Sequence, residues 1–190
     1  MLDVLSLMNP FRTFLIAIAA FLAVFWEAAF PGTARWLHAQ VDLLPPLIVY
    51  ASLCTELTSV ALLAVFGGLL LDSLSANPLG VTILPLFAVG LAVYWRRELI
   101  LRDQPYAQFA LGLGASAATP LLAVVLLLTA GHPVLLGWGS LWQWLVMSLG
   151  GAIATPLFFL VFGWCERALG HVPVAETSFR ADREIRRGKS

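Results

Sequence analysis

The sequence predicts an all-α integral membrane protein, a compact bundle of about six transmembrane helices with both termini in the cytoplasm. Three observations point there. Of 190 residues, 60% are hydrophobic and only 12% charged, whereas a soluble domain carries about 25% charged residues. Residues 104–165 contain no Asp, Glu, Lys or Arg at all, which is room for two spans and a loop at about 20 apolar residues per span. The basic residues are segregated along the chain in a way that orients the spans. These features exclude a water-soluble globule, a disulfide-stapled secreted domain and a disordered tail. Eleven basic and eleven acidic residues cancel, so no net charge points to nucleic acid, and none is expected as a partner.

The first span is expected over residues 11–30, ended by Pro31-Gly32. The next apolar run, 43–74, is too long for one span: its 32 residues would reach about 48 Å against a hydrocarbon core near 30 Å. Glu56 lies in its middle, and an acidic side chain at the bilayer centre costs about 3 kcal/mol on insertion scales. A break around Cys54–Glu56 removes that cost and gives two short spans, 43–54 and 57–74. A fourth span, 78–96, is expected to start on Asn77-Pro78, an N-cap residue followed by proline at the first helical position. It ends at the cluster Arg96, Arg97, Glu98, Arg102 and Asp103. The fifth and sixth spans cover 106–130 and 139–165, leaving 166–190 as a tail with six basic and four acidic residues.

With six spans, ten Lys and Arg residues fall on one side and only Arg35 on the other, which assigns both termini to the cytoplasm. A five-span reading swaps Arg12 with Arg35 and gives the same ratio, so charge does not count the second and third spans. Trp26, Trp36, Trp138, Trp142 and Trp144 mark the outer interface, Trp95 and Trp164 the inner one. Asp72 and the connection 73–80 then face outward.

Helices in lipid associate through close packing of small residues. Ala19 with Ala23, Ala64 with Gly68, Gly114 with Ala118 and Gly150 with Ala154 have the required spacing. A local repeat, L-G-x-x-x-A-T-P-L, occurs at 113–121 and again at 149–157. Each copy places a proline inside a span, and Thr119 and Thr155 are expected to back-bond to carbonyls of the preceding turn. The pair reads as two antiparallel helices kinked at Pro120 and Pro156.

Chemistry is sparse. Cys54 and Cys165 form no C-x-x-C, and His38, His132 and His171 are isolated, so no metal site or disulfide is expected. The segment Gly114-Ala115-Ser116-Ala117-Ala118 is one glycine short of a nucleophile elbow and has no base nearby in sequence. There is no H-E-x-x-H and no P-loop. Glu27, beside Trp26, is expected to pair with Arg35 or to sit at the interface. No catalytic residue and no cofactor is expected.

The informative stretch is 66–81. Asp72 ends an outward-pointing helix, where the macrodipole disfavours a negative charge, so something must compensate it. One reading has its oxygens accepting backbone N–H groups of the turn. A compatible one has it meeting a partner at the outer surface.

This stretch resembles the rod shape-determining protein MreD family, which carries G-x-x-x-D at the end of the third span and Leu-Gly seven and eight residues after the Asp. Those positions are Gly68, Asp72, Leu79 and Gly80, with Pro78 just before. The layout is similar too: a short polytopic chain, a proline-containing second span (Pro45, Pro46), a basic inner loop (Arg96, Arg97, Arg102) and a basic C-terminus. The likeness extends over 11–165 in architecture but only over 66–94 in residues. It implies a non-enzymatic scaffold of the elongasome, the machinery of lateral cell-wall growth and cell shape, in the bacterial cytoplasmic (inner) membrane. The implied partners are an MreC-like bitopic protein, the peptidoglycan synthase pair of RodA with a class B penicillin-binding protein, and the MreB filament at the cytoplasmic face. The lipid bilayer is itself a partner, through about 1 kcal/mol of attraction per basic residue near an anionic surface. The alternative is a substrate-binding subunit of an energy-coupling-factor-type vitamin transporter, which a compact six-span bundle also resembles and which would need a polar, aromatic-lined pocket.

Overall fold

The computed structural model describes residues 2–29, 39–75, 78–100, 104–131 and 137–168, with side chains from Thr13 onward except at Leu99, Glu166 and Ala168. Among them are six α-helices and no strand: α1 Leu2–Ala29, α2 Leu44–Cys54, α3 Leu57–Leu74, α4 Ile83–Arg96, α5 Pro105–Thr129 and α6 Trp138–Ala168. A single 3-10 turn, Arg97–Leu99, follows α4. Leu57–Leu74, Pro105–Thr129 and Trp138–Cys165 are long and apolar enough to cross a membrane, and Thr13–Ala29, Leu44–Cys54 and Ile83–Arg96 are shorter apolar segments. Large apolar side chains such as Phe14, Leu62, Leu121 and Ile153 stand exposed on the bundle's surface. That is costly in water and natural in lipid, consistent with a membrane protein.

α2 is the hub. It packs against each of the other five helices, and every residue from Leu44 to Leu53 is buried. Pro45 and Pro46 lie in its first turn, where the missing N–H groups have no intrahelical partner to lose. The break expected around Cys54–Glu56 has a simple backbone cause. Thr55 and Glu56 are both extended, so α2 stops and α3 starts anew, with the N–H groups of Ser59 and Val60 on the Glu56 carbonyl. Thr55 seals the end of α2 through its N–H and its hydroxyl, both donated to the Ala51 carbonyl. Glu56 itself is exposed.

Two boundaries move. α1 starts at Leu2 rather than near residue 11, because Leu2, Leu5, Leu7 and Met8 are good helix formers that carry the helix past the apolar run. α4 starts at Ile83, with Thr82 and not Asn77 as its N-cap. Asn77 lies outside the described residues, and Pro78 sits in the turn ahead of the helix rather than at its first position. Gly80 at φ 95° is a left-handed residue that a helix cannot contain. Arg35, His38, Arg102, Asp103, His132 and the tail from residue 169 also lie outside the described residues.

α5 and α6 form the most extensive helix pair, but not through the glycines that the spacing picks out. A methyl group on Gly114 would meet nothing within 4 Å. Gly112 instead lies against Thr155 and the Gly151 carbonyl, and Gly151 lies against the Ser116 side chain. The true seam is Gly112 and Ser116 on α5 against Gly151 and Thr155 on α6. Gly114 is two residues, about 200° of helix, off that face. Gly150 serves a different neighbour, Val41 of the connection before α2. Both helices run on through Pro120 and Pro156. Thr119 and Thr155 donate their hydroxyls to the carbonyls of Ala115 and Gly151, each at 2.9 Å. Trp144 joins the pair with an indole N–H to the Ala117 carbonyl at 3.0 Å.

These contacts separate two glycines of similar sequence context. Gly151→Ala places a carbon 2.4 Å from Ser116 Cβ and is expected to lower unfolding stability in detergent by about 2 kcal/mol or more. Gly114→Ala is expected to be neutral or to raise stability by about 0.5 kcal/mol, the gain of alanine over glycine in a helix. Thermal or SDS unfolding of the two variants checks both values.

Candidate functional site

The motif at 68–82 folds into one local unit that joins the end of α3 to the start of α4. Gly68 and Asp72 are four residues apart, so they share a face of α3. Gly68 lets the first turn of α4 come down onto α3. A β-carbon there would stand 2.8 Å from Ile83 Cγ1 and 3.0 Å from Ile83 Cα, which is backbone and has no freedom to move aside. One turn further on, Asp72 is 1% exposed. Its Oδ2 accepts the N–H groups of Gly80 at 2.8 Å and Thr82 at 3.2 Å, and its Oδ1 accepts the Thr82 hydroxyl. Gly80 presents its N–H from the left-handed conformation that glycine adopts without steric cost.

The electrostatic problem posed by Asp72 is solved by the neighbouring helix. Its position at the C-terminal end of α3 is unfavourable for a negative group, but the same carboxyl caps the N-terminal end of α4, where the partial charge is positive. Thr82 is the partner that the sequence pattern did not reveal. It is an N-cap-type residue directly before an apolar run, the signal that a helix starts there, but Asn77-Pro78 offered the same signal five residues earlier. Pro78 and Leu79 are not part of the latch. Both are exposed, Leu79 to 70%, so the unit buries Gly68, Asp72 and Thr82, leaves Gly80 half-buried and presents Leu79 outside.

At the opposite end of the bundle, Arg97 lies over the Tyr94 ring, 4.2 Å from its centroid, and donates to the Thr55 carbonyl at 3.5 Å. A cation at the C-terminal end of α2 meets the negative end of that helix dipole, so Arg97 links the end of α4 to α2 while staying exposed. Arg96 is exposed, and Arg102 falls outside the described residues. The Asp72 latch and this basic cluster are therefore separate features at opposite ends of α3 and α4.

Other candidates fall elsewhere. Ser116 is 1% exposed, and its hydroxyl has no hydrogen-bond partner among the described residues. It is pressed against Gly151 in the α5–α6 seam, which leaves no space for a substrate. Asp42 is buried in the connection before α2, with Oδ1 accepting the Leu44 N–H at 2.8 Å. Glu27 Oε2 is buried without a partner among the described residues. No group of three or more His, Cys, Asp or Glu side chains that could hold a metal ion occurs among them. No family model matches the chain, and no curated protein or solved structure matches it.

The latch makes a thermodynamic prediction. Asp72→Ala leaves two N–H groups and a hydroxyl without their acceptor, and is expected to cost about 2–4 kcal/mol. Thr82→Val is expected to cost about 1–2 kcal/mol. Because the two share hydrogen bonds, the double variant should lose clearly less than the sum. Gly80→Ala is expected to cost about 1–2 kcal/mol through its left-handed φ alone. SDS or thermal unfolding in micelles reads all four.

Proposed function

We propose that this chain is a non-enzymatic membrane scaffold of the bacterial lateral cell-wall elongation complex, seated in the cytoplasmic membrane by six spans with both termini inside. It binds an MreC-like bitopic protein and helps position the RodA and class B penicillin-binding protein pair, with MreB filaments at the cytoplasmic face. The observation that carries this reading is the division of labour within the motif. Gly68, Asp72 and Gly80 are spent on joining α3 to α4, while Leu79 is held by that rigid turn with most of its surface free. A fixed apolar side chain on a braced turn is suited to anchoring a partner. Exposed apolar faces along α1, α3, α5 and α6 give a bitopic partner's helix further places to pack. The six-span seating draws support from Arg96, Arg97 and Arg167, which lie where α4 and α6 end, and from Trp95 and Trp164 beside them.

The partner surface is tested at Leu79 rather than at Gly68. Gly68→Leu would drive its side chain into Ile83 and damage the fold before any interface. Leu79→Ala leaves every hydrogen bond of the latch in place. It is expected to reduce co-purification of a co-expressed MreC-like protein about tenfold, the loss of roughly 1.4 kcal/mol of apolar contact, with unfolding stability unchanged. Unchanged co-purification would remove Leu79 from the interface. A vitamin retained in stoichiometric amount in native mass spectrometry would replace the scaffold reading with the transporter one. A periplasmic signal from a reporter fused after Ser190 would invert the seating.

A further inference from the structure

Where α1 meets α3, a cleft of about 590 Å³ stays open on the surface of the bundle. Its floor is Ile16 and Leu63, both buried, and its rims are Phe14 on α1 and Leu62 and Phe66 on α3, all exposed. Toward one end stand the hydroxyls of Thr13 and Ser59, 2.7 Å apart across the two helices. Beyond them, at the residue that caps α3, is the exposed side chain of Glu56.

Polarity thus falls along the cleft in one direction, from an acidic group through hydroxyls to hydrocarbon. From Glu56 to Phe66 the chain rises about 15 Å, half of a hydrocarbon core of about 30 Å. Glu56 follows Thr55, whose carbonyl accepts from Arg97, and a basic side chain at a helix end marks the membrane surface. A phospholipid standing in one leaflet has the same order over the same length: headgroup, ester, acyl chain.

Size decides between a lipid and a partner's helix. Fifteen ångströms of a helix about 10 Å across would fill roughly 1,200 Å³, twice the cleft. The walls also meet at the Thr13–Ser59 hydrogen bond, so a helix would rest on the rims and leave the floor bare. Acyl chains, roughly 5 Å across at carbon contact distances, reach the floor at roughly 300 Å³ each over that length.

The headgroup follows from charge. Among the described residues, Glu56 is the one charged group lining the cleft, and it repels a net anionic headgroup. A primary ammonium offers N–H donors, whose bonds to a carboxylate are about twice as strong as neutral ones. Choline has the charge and no N–H. A carboxylate has about four acceptor sites, so Glu56 takes an ammonium in addition to the contact it makes within the chain.

We infer that the α1–α3 cleft binds one phospholipid of the ethanolamine class, its ammonium on Glu56 and its tails between Phe14 and Leu62 over Ile16 and Leu63. The inference rests on the bilayer seating proposed for the chain, and on neither the scaffold role nor the side on which the termini lie.

Native mass spectrometry of the full chain tests the site, with delipidated protein in detergent titrated by one lipid at a time. Phosphatidylethanolamine is expected to bind one per chain, at least about tenfold tighter than phosphatidylcholine or phosphatidylglycerol with the same tails. Glycerophosphoethanolamine, which has the headgroup and no tails, is expected to show no binding at the same concentrations. Glu56→Gln is expected to weaken phosphatidylethanolamine about tenfold and leave phosphatidylcholine unchanged, and Glu56→Lys to favour phosphatidylglycerol. Glu98→Gln, at an exposed acid outside the cleft, is expected to keep the wild-type preference. Ethanolamine and choline lipids bound equally by the unaltered chain would overturn the site without any variant. So would a preference that survives Glu56→Gln, one that is lost equally in Glu98→Gln, or tight binding of the headgroup without tails. The reporter after Ser190 and the Leu79 variant read the seating and the scaffold role on their own, so a failed titration strikes the cleft alone.

Discussion

The enclosure of α2 is the constraint on which the other helices depend. Eleven residues make only about 16 Å of helix, too short to cross a hydrocarbon core alone. A short helix in lipid exposes the polar ends of its backbone at depth, which is tolerated only where protein covers them. α2 meets that condition by touching all five other helices. Pro45 and Pro46 remove donors at one end, Thr55 and Arg97 occupy carbonyls at the other, and Ser52 back-bonds to Ile48 along the way. The remaining helices are arranged around that rod. Glycines admit its side chains where they come close, Gly67 for Leu44 and Gly90 for Ile48.

The Asp72 latch follows from the same geometry. α4 packs on α2 and on α3, and its first turn must come down onto α3 beside Gly68. The chain therefore returns through a tight left-handed step at Gly80, and the N–H groups freed by that step and by the start of α4 need an acceptor. Asp72 supplies it from one turn above Gly68. A glycine for approach and a carboxyl for capture, four residues apart, together fix the offset of the two antiparallel helices. It also leaves Leu79 facing outward on a turn held by the Asp72 hydrogen bonds.

Much of this was legible in the chain. Glu56 in the middle of an apolar run pointed to a break, and α2 and α3 do separate there, with Glu56 exposed. Thr119 and Thr155 were expected to back-bond into the preceding turn, and their hydroxyls do so on the Ala115 and Gly151 carbonyls. Asp72 stood out because a negative charge at a helix C-terminus needs compensation. Residues of one type at one spacing were harder to tell apart. Gly112, Gly114, Gly150 and Gly151 all sit in small-residue patterns, and only the neighbouring helix decides which face each one serves. Thr82 was missed for a similar reason: two N-cap candidates lay five residues apart, and the choice between them is made by a carboxyl ten residues upstream. No local pattern encodes that distance.

Hydrogen exchange of the full chain in lipid nanodiscs tests the central role of α2 most directly. The amides of residues 47–53 are expected to exchange only through the global unfolding of the bundle, in step with those of the α5–α6 seam around Ser116 and Gly151. Exchange at 47–53 well ahead of that seam would mean that α2 opens on its own, and an account in which the other five helices are organised around it would be wrong.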